Sequence, residues 1–297
     1  MSNLPASLRN GLSRDWALKT LEIEKKEKSG LDGTTKFIFK TSDSRSFSAV
    51  FLPHSKYNSL CISTQVGCAW GCRFCASGLV PFTRDLTPGE ILDQIFLCEE
   101  ESGQKIKNIL FMGMGEPLAN YSGTLKSIQW FTSPNGFRMN PSRIVVSTTG
   151  LAPQIAKIAG ENLRVNLALS LHAPTDDLRK KLMPKSARFP IRDVLAACKI
   201  YQEKNRSEFT IEYILLKNIN DTLEVARNLA ELILSSRFPF QPKINLIPHN
   251  PVPSIPYETP APETVRSFFD FLKSKKLNVH TRKPQGRDLS AACGQLL

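Results

Sequence analysis

From Leu60 onward, short β-like runs alternate with helix-length segments, and this alternation constrains the fold more than any other feature of the chain. Strands are read at SLCIST, KNILFMG, RIVVSTT, RVNLALSL, EFTIEYIL and KINLIP, with a last one at LNVHTR. Helices fit between them at TPGEILDQIFLCEE, TLKSIQWFT, PIRDVLAACKIYQEK, DTLEVARNLAELIL and APETVRSFFDFLKSKK. The first of these opens with Thr87 as a cap, Pro88 in the first turn and Glu90 three residues after the cap, the pattern of reciprocal capping. Strands joined by crossovers of this length pair in parallel, so the expectation is an α/β fold. About six such units favour an open or partial β/α barrel over a doubly wound sheet. The unusual residues support that choice, because each group follows the carboxyl end of a strand: a cysteine cluster, GMGEPL, STTG, SLHAP and PHNP. In a β/α barrel those ends converge on one face.

Residues 1–34 read as a short charged appendage with a helix around Asp15 to Lys28, and residues 35–297 as the core. TKFIFKT and SFSAVFLP flank the turn-prone SDSR and predict a β-hairpin that leads into the core. No repeat of solenoid period and no Ser- or Gly-rich linker divides the rest. With 41% hydrophobic and 22% charged residues, the composition excludes a disordered chain. The sequence has no apolar run long enough to span a bilayer and no export signal, so the expectation is a soluble, cytoplasmic protein with no membrane partner. The formal net charge of +12 suits a polyanionic partner such as RNA or DNA as readily as it suits a plain basic enzyme. Basic residues gather in Arg179 to Arg192 and in Lys273 to Arg287, where they would suit backbone phosphates.

Seven cysteines, an odd number, fit a reducing compartment better than a disulfide framework. Cys68, Cys72 and Cys75 form C-x-x-x-C-x-x-C in a glycine-containing loop just after a strand. Three thiolates from one loop can hold three irons of a 4Fe-4S cluster and leave the fourth open to a small molecule. The alternatives are zinc, with Cys61 or a His as fourth ligand, and three structural cysteines; zinc favours paired C-x-x-C motifs, and a second pair is missing. Cys98 and Cys198 lie inside apolar helical patterns, where an inert buried thiol is the default. GMGEPL lacks the third glycine of a dinucleotide fingerprint and places Pro117 where the crossover helix would begin. Its two glycines let backbone amides and the Glu116 carboxylate approach a ligand, the alternative being a tight turn with a solvated Glu. Ser147, Ser170, His172 and Asn250 stand at strand ends with short hydrogen-bonding groups suited to a ribose, an amino acid or an adenine edge; singly, each reads as a cap or turn residue. Cys293, among small residues and followed by Gly294, reads as an accessible thiol.

Taken in order from about Thr35 to Leu297, CISTQVGCAWGCRFCAS, FMGMGEPLAN, STTG, SLHAP, IEYILL, INLIPHNP and AACGQL resemble the radical S-adenosylmethionine (SAM) superfamily. Within it they resemble the RlmN/Cfr family of RNA adenine methyltransferases. The resemblance implies a partial β/α barrel with a 4Fe-4S cluster on Cys68, Cys72 and Cys75. It implies SAM held by Gly115, Glu116, Ser147, Ser170, Leu171, His172 and Asn250. It further implies that Cys293 carries the methyl group and that Cys61 resolves the protein–RNA adduct through a transient disulfide. The implied product is adenosine methylated at C2 in 23S rRNA and, in dual-specificity members, in tRNA at position 37. The implied enzyme is a monomer served by a one-electron reductant protein. Methylation at C8 is the enzymatic alternative, and an RNA-binding paralogue without turnover is the alternative from another class. The chain departs from the family pattern twice. Thirteen residues before Cys61, where the family carries a Glu implied to take the C2 proton, stands Ser48. Little more than thirty residues precede the matching region, against a longer helical segment in the family.

Overall fold

The computed structural model of the chain describes Pro5 and residues 19–296. β1 (Leu21–Lys28), β2 (Thr35–Thr41), β3 (Ser46–Pro53) and β4 (Asn58–Cys61) run antiparallel one to the next. After β4 comes a small ribbon of β5 (Gln65–Val66) and β6 (Arg84–Asp85). The main sheet then continues from β4 through β7 (Asn108–Phe111), β8 (Ile144–Thr148), β9 (Asn166–Ser170), β10 (Phe209–Leu215), β11 (Lys243–Pro248) and β12 (Asn278–Thr281), every pairing parallel. β1 and β12 end the ten-stranded sheet, so the barrel is open, as the alternation predicts. The helices are α1 (Pro88–Ser102), α2 (Tyr121–Thr132), α3 (Ala152–Ala159), α4 (Asp176–Leu182), α5 (Ile191–Asn205), α6 (Leu223–Ser235) and α7 (Pro262–Ser274). Among the described residues no helix is long and apolar enough to cross a membrane.

The period of two along each parallel strand sorts its side chains between two environments. One set, including Ile109, Ile144, Val146, Leu167, Ile211, Tyr213 and Ile244, is fully buried in the main apolar core. At about 1.5–3 kcal/mol for each fully buried large apolar side chain, that core supplies most of the stabilisation. The alternate set, including Cys61, Ser147, Ser170, Glu212 and Ile247, borders cavities inside the barrel. The strand pattern that builds the core thus also presents a polar inner wall.

Local signals agree with this plan. Thr87 and Glu90 form the reciprocal cap of α1, with the Glu90 carboxylate accepting from Thr87 N at 2.8 Å and the Thr87 hydroxyl accepting from Glu90 N at 3.2 Å. The β2–β3 hairpin forms as expected, with Phe39 opposite Phe47 and their ring centroids 5.6 Å apart.

Two expectations are corrected. Leu21–Lys28, assigned to a helix around Asp15 to Lys28, is strand β1, while the earlier part of that stretch lies outside the described residues. LEIEKKEK has helix-forming composition, but its buried Leu21 and half-buried Ile23 and Glu27 alternate with exposed residues, and pairing with β2 overrides propensity. The appendage is therefore joined to the core sheet. Arg179 does not offer its charge to phosphate: it is fully buried, and its guanidinium donates to the carbonyls of Ser186, Phe189 and Thr149.

Candidate active site at the carboxyl ends of the strands

A cavity of about 150 Å³ opens at the carboxyl ends of β7 to β12. Its walls hold Cys68, Cys72 and Cys75 from the loop after β4, Gly115 and Glu116 after β7, Ser147 on β8, Ser170 and His172 at the end of β9, and Cys293. Strand ends far apart in sequence thus meet there.

The GMGEPL turn depends on close backbone approach. A Cβ on Gly113 would lie 2.6 Å from Ser63 Oγ, and Gly115 has φ +100° with Gln65 Cβ 2.6 Å from where its own Cβ would stand. That turn aims Glu116 inward and fixes it: Oε1 accepts from Leu118 N at 3.0 Å and Oε2 from Thr149 N at 2.6 Å. Burial raises its pKa above the ordinary carboxylate value, and these donors oppose the rise. The solvated-turn reading of Glu116 is thereby excluded, since the residue is 1% exposed.

His172 occupies left-handed backbone with φ 60°. Burial, with Arg179 nearby, depresses its pKa to about 3, so the imidazole is neutral. Because Nδ1 accepts from Ile214 N at 3.0 Å, the ring proton is on Nε2, and the residue is a donor at the cavity wall. Leu171 is fully buried and does not line the cavity.

Cys61 and Cys293 are both free thiols and share a smaller adjoining cavity of about 60 Å³ with Val50, Leu52 and Asn250. Cys293, Cys75, Met112 and Arg282 border both cavities, which places Cys293 at their junction. The chain near Cys293 is pinned from three sides. Asn250 Nδ2 donates to the Cys293 carbonyl at 3.1 Å, Ala76 N to the Gly294 carbonyl at 2.7 Å, and Ser77 Oγ to the Leu296 carbonyl at 2.7 Å. Asn250 therefore holds the cysteine segment and lies outside the larger cavity. Burial, with Cys293 beside it, pushes the Cys61 thiol up to about 12.

Burial also raises the thiols of Cys68, to about 11, and of Cys72 and Cys75. Ionising three such groups requires positive charge in their midst, which an iron centre brings and which deprotonates its thiol ligands outright. Among the described residues no three His, Cys, Asp or Glu side chains converge on one point as a single metal ion demands. Three thiols on one loop offer one thiolate to each of three irons, so the donor set fits a multi-iron cluster.

Arg282 and Glu212 were not singled out in the sequence. Arg282 lies beyond the last strand, beside Cys293, Glu212 and Cys61, and its pKa is held above the ordinary guanidinium value despite burial. The available signal for Glu212 was a lone carboxylate inside the otherwise apolar run FTIEYIL.

An open parallel β/α barrel with three cysteines on the loop after its first parallel strand defines the radical SAM class, and residues 62–230 match the family description "Radical SAM superfamily". The chain is 42% identical over 296 residues to a probable dual-specificity RNA methyltransferase RlmN of Endomicrobium trichonymphae, covering 99% of this chain and 85% of that one. It is 40% identical to the dual-specificity RNA methyltransferase RlmN of Geotalea uraniireducens, covering 100% and 84%. The crystal structure of a radical SAM methyltransferase from Sphaerobacter thermophilus superposes with a TM-score of 0.93 at 38% identity, covering 99% and 86%. The chain belongs to the RlmN family of radical SAM RNA methyltransferases.

Proposed function

We propose that this protein methylates C2 of an adenosine in RNA, with 23S rRNA and tRNA as substrates, and that the methyl group travels on Cys293. The observation that carries this reading is the placement of Cys293 where the cavity of the three-cysteine loop meets the pocket of Cys61. A plain SAM-dependent transfer needs no second thiol, whereas a methyl carrier that becomes bonded to its substrate needs one to release it.

Cys68, Cys72 and Cys75 would hold the cluster, and Gly115, Glu116, Ser147, Ser170 and His172 would bind SAM in the same cavity. When bound, the cluster supplies the single electron that cleaves SAM. The Glu116 carboxylate pairs with the methionine ammonium, and the His172 Nε2–H donates to an acceptor of the cofactor. Leu171, next to His172 in the chain, is buried in the main apolar core. The Cys293 sulfur takes a methyl group by displacement, its position held by Asn250 and by the Ala76–Gly294 hydrogen bond. The Cys293-borne methyl gives up one hydrogen atom to the 5′-deoxyadenosyl fragment of a second SAM and its carbon bonds to adenine C2; Cys61 then attacks the Cys293 sulfur, the freed carbon takes a proton to become the product methyl, and a disulfide forms. Two electrons and two protons return the disulfide to two thiols, and a one-electron reductant protein delivers the electrons one at a time.

RNA approaches over a basic rim. Arg73, Lys180, Lys181, Lys185 and Arg188 are exposed around the cysteine loop. Arg73 N donates to the Leu182 carbonyl, Lys185 Nζ donates to the Ala69 carbonyl, and the Arg188 guanidinium stacks 5.3 Å from the Trp70 ring. Replacing Lys180, Lys181, Lys185 and Arg188 together by Ala should flatten the log Kd against log salt plot by about three, at roughly 0.7–0.9 per phosphate contact. Filter-binding titrations with an rRNA fragment at several salt concentrations read this slope, and an unchanged slope removes the rim from the interface.

The reading as a whole is tested by incubating the reconstituted protein, reductant and methyl-labelled SAM with total RNA from a strain lacking the activity. Label should appear as 2-methyladenosine on nucleoside mass spectrometry. Label in 8-methyladenosine reassigns the position, and unlabelled RNA contradicts the reading.

A further inference from the structure

Replacing hydrogen by methyl on an adenine carbon releases a proton, and that proton needs an acceptor inside the site. Of the two cavities around Cys293, the larger is lined by two carboxylates. Glu116 has both oxygens engaged by backbone N–H groups. Glu212 is 5% exposed; its Oε1 accepts from Asn245 Nδ2 at 2.9 Å, while its Oε2 is buried without a hydrogen-bond donor. An open carboxylate oxygen in a dry wall is a costly arrangement to keep without a use.

The position of Glu212 supplies the use. On the inner face of β10 it stands in register with Ser170 of β9 and Asn245 of β11. It borders the SAM-side cavity together with Cys293 and Arg282. It also borders a third, lower cavity of about 520 Å³ toward the amino ends of the strands, whose wall includes Arg143, Lys243, His280 and Glu208. Arg282 borders that cavity too, so the guanidinium and the carboxylate together partition the dry site from a polar, charged one. Ser48, by contrast, sits fully buried on β3, and its hydroxyl is far too weak a base.

We infer that the Glu212 carboxylate is the base that takes the proton leaving adenine C2 and hands it to the lower cavity. In this step the C2–H bond breaks, its electron pair stays with the ring and the proton goes to Glu212 Oε2, while the one electron by which the adduct is over-reduced returns to the one-electron carrier that supplied it. The assignment rests on the C2-methylation reading above.

The test uses the full-length reconstituted protein, SAM, reductant and an rRNA fragment carrying deuterium at adenine C2. In the Glu212→Gln protein, 2-methyladenosine formation should fall by about 10²-fold or more, the usual scale for a lost general base. The Cys293–RNA adduct should accumulate with its deuterium retained, as read by denaturing gel and mass spectrometry. Glu212→Asp, which keeps a carboxylate one methylene further back, should restore part of the turnover and shed the deuterium. A merely structural role would lower adduct and product together in both variants. That result overturns the assignment, as does wild-type turnover in either variant. Failure of the wild-type protein to form 2-methyladenosine overturns the reading of the site and this assignment with it, and the wild-type arm separates that case from the others.

Discussion

Cys293→Ala is expected to abolish RNA methylation, a loss of more than about 10³-fold, because a residue that carries the transferred group has no substitute. Its side chain stands where two cavities meet, while the bonds that pin its segment run mostly through backbone: the Cys293 carbonyl to Asn250, the Gly294 carbonyl to Ala76 and the Leu296 carbonyl to Ser77. An alanine keeps all of these, so the C-terminal segment should remain docked over Val50, Leu52 and Cys61. The variant should therefore still take up iron and show the broad visible absorption of a cluster. Methylated adenosine formed by the Cys293→Ala protein would remove the methyl-carrying cysteine from the account.

Cys72→Ala should act one step earlier, with iron content and visible absorption after anaerobic reconstitution falling toward those of a protein without a cluster, and RNA methylation falling with them. The physical reason is the ligand count. With three thiols on one loop, losing one leaves two ligands for a group that takes three. The fold should survive, because Cys72 belongs to the periphery of a small apolar group around Phe74, Leu182 and Met183, while the main core lies on the other face of the sheet. Stoichiometric iron and sulfide in Cys72→Ala would show that the cluster is held in another way.

Much of this arrangement was legible in the sequence because it rests on local rules. The alternation after Leu60 gave the parallel strands, and Thr87, Pro88 and Glu90 marked the start of α1 to the residue. The placement of polar residues after strand ends was enough to bring Gly115, Glu116, Ser147, Ser170 and His172 to one cavity with the three-cysteine loop. What was missed depended on tertiary context. β1 has helix-forming residues and becomes a strand because β2 offers it an edge. α3 and α4, at eight and seven residues, are too short for apolar periodicity to stand out. The basic run from Arg179 hid a buried arginine, because sequence records charge but not which face carries it. Asn250 is at the predicted strand end yet serves the Cys293 carbonyl, a contact over 43 residues that no local pattern announces. Arg282 and Glu212 were invisible for the same reason, since each gains its meaning from the neighbours that β10 and β12 bring to it.

The central claim is that the methyl group rides on Cys293, and a pulse and chase through that residue tests it most directly. The reconstituted protein is first incubated with methyl-labelled SAM in the absence of RNA, freed of small molecules, and then given RNA, reductant and unlabelled SAM. The account predicts labelled methyl on the peptide containing Cys293 after the pulse and, after one turnover, the same label on adenosine C2 with the peptide depleted. Label that never resides on Cys293, in a protein that nevertheless methylates RNA, would contradict it.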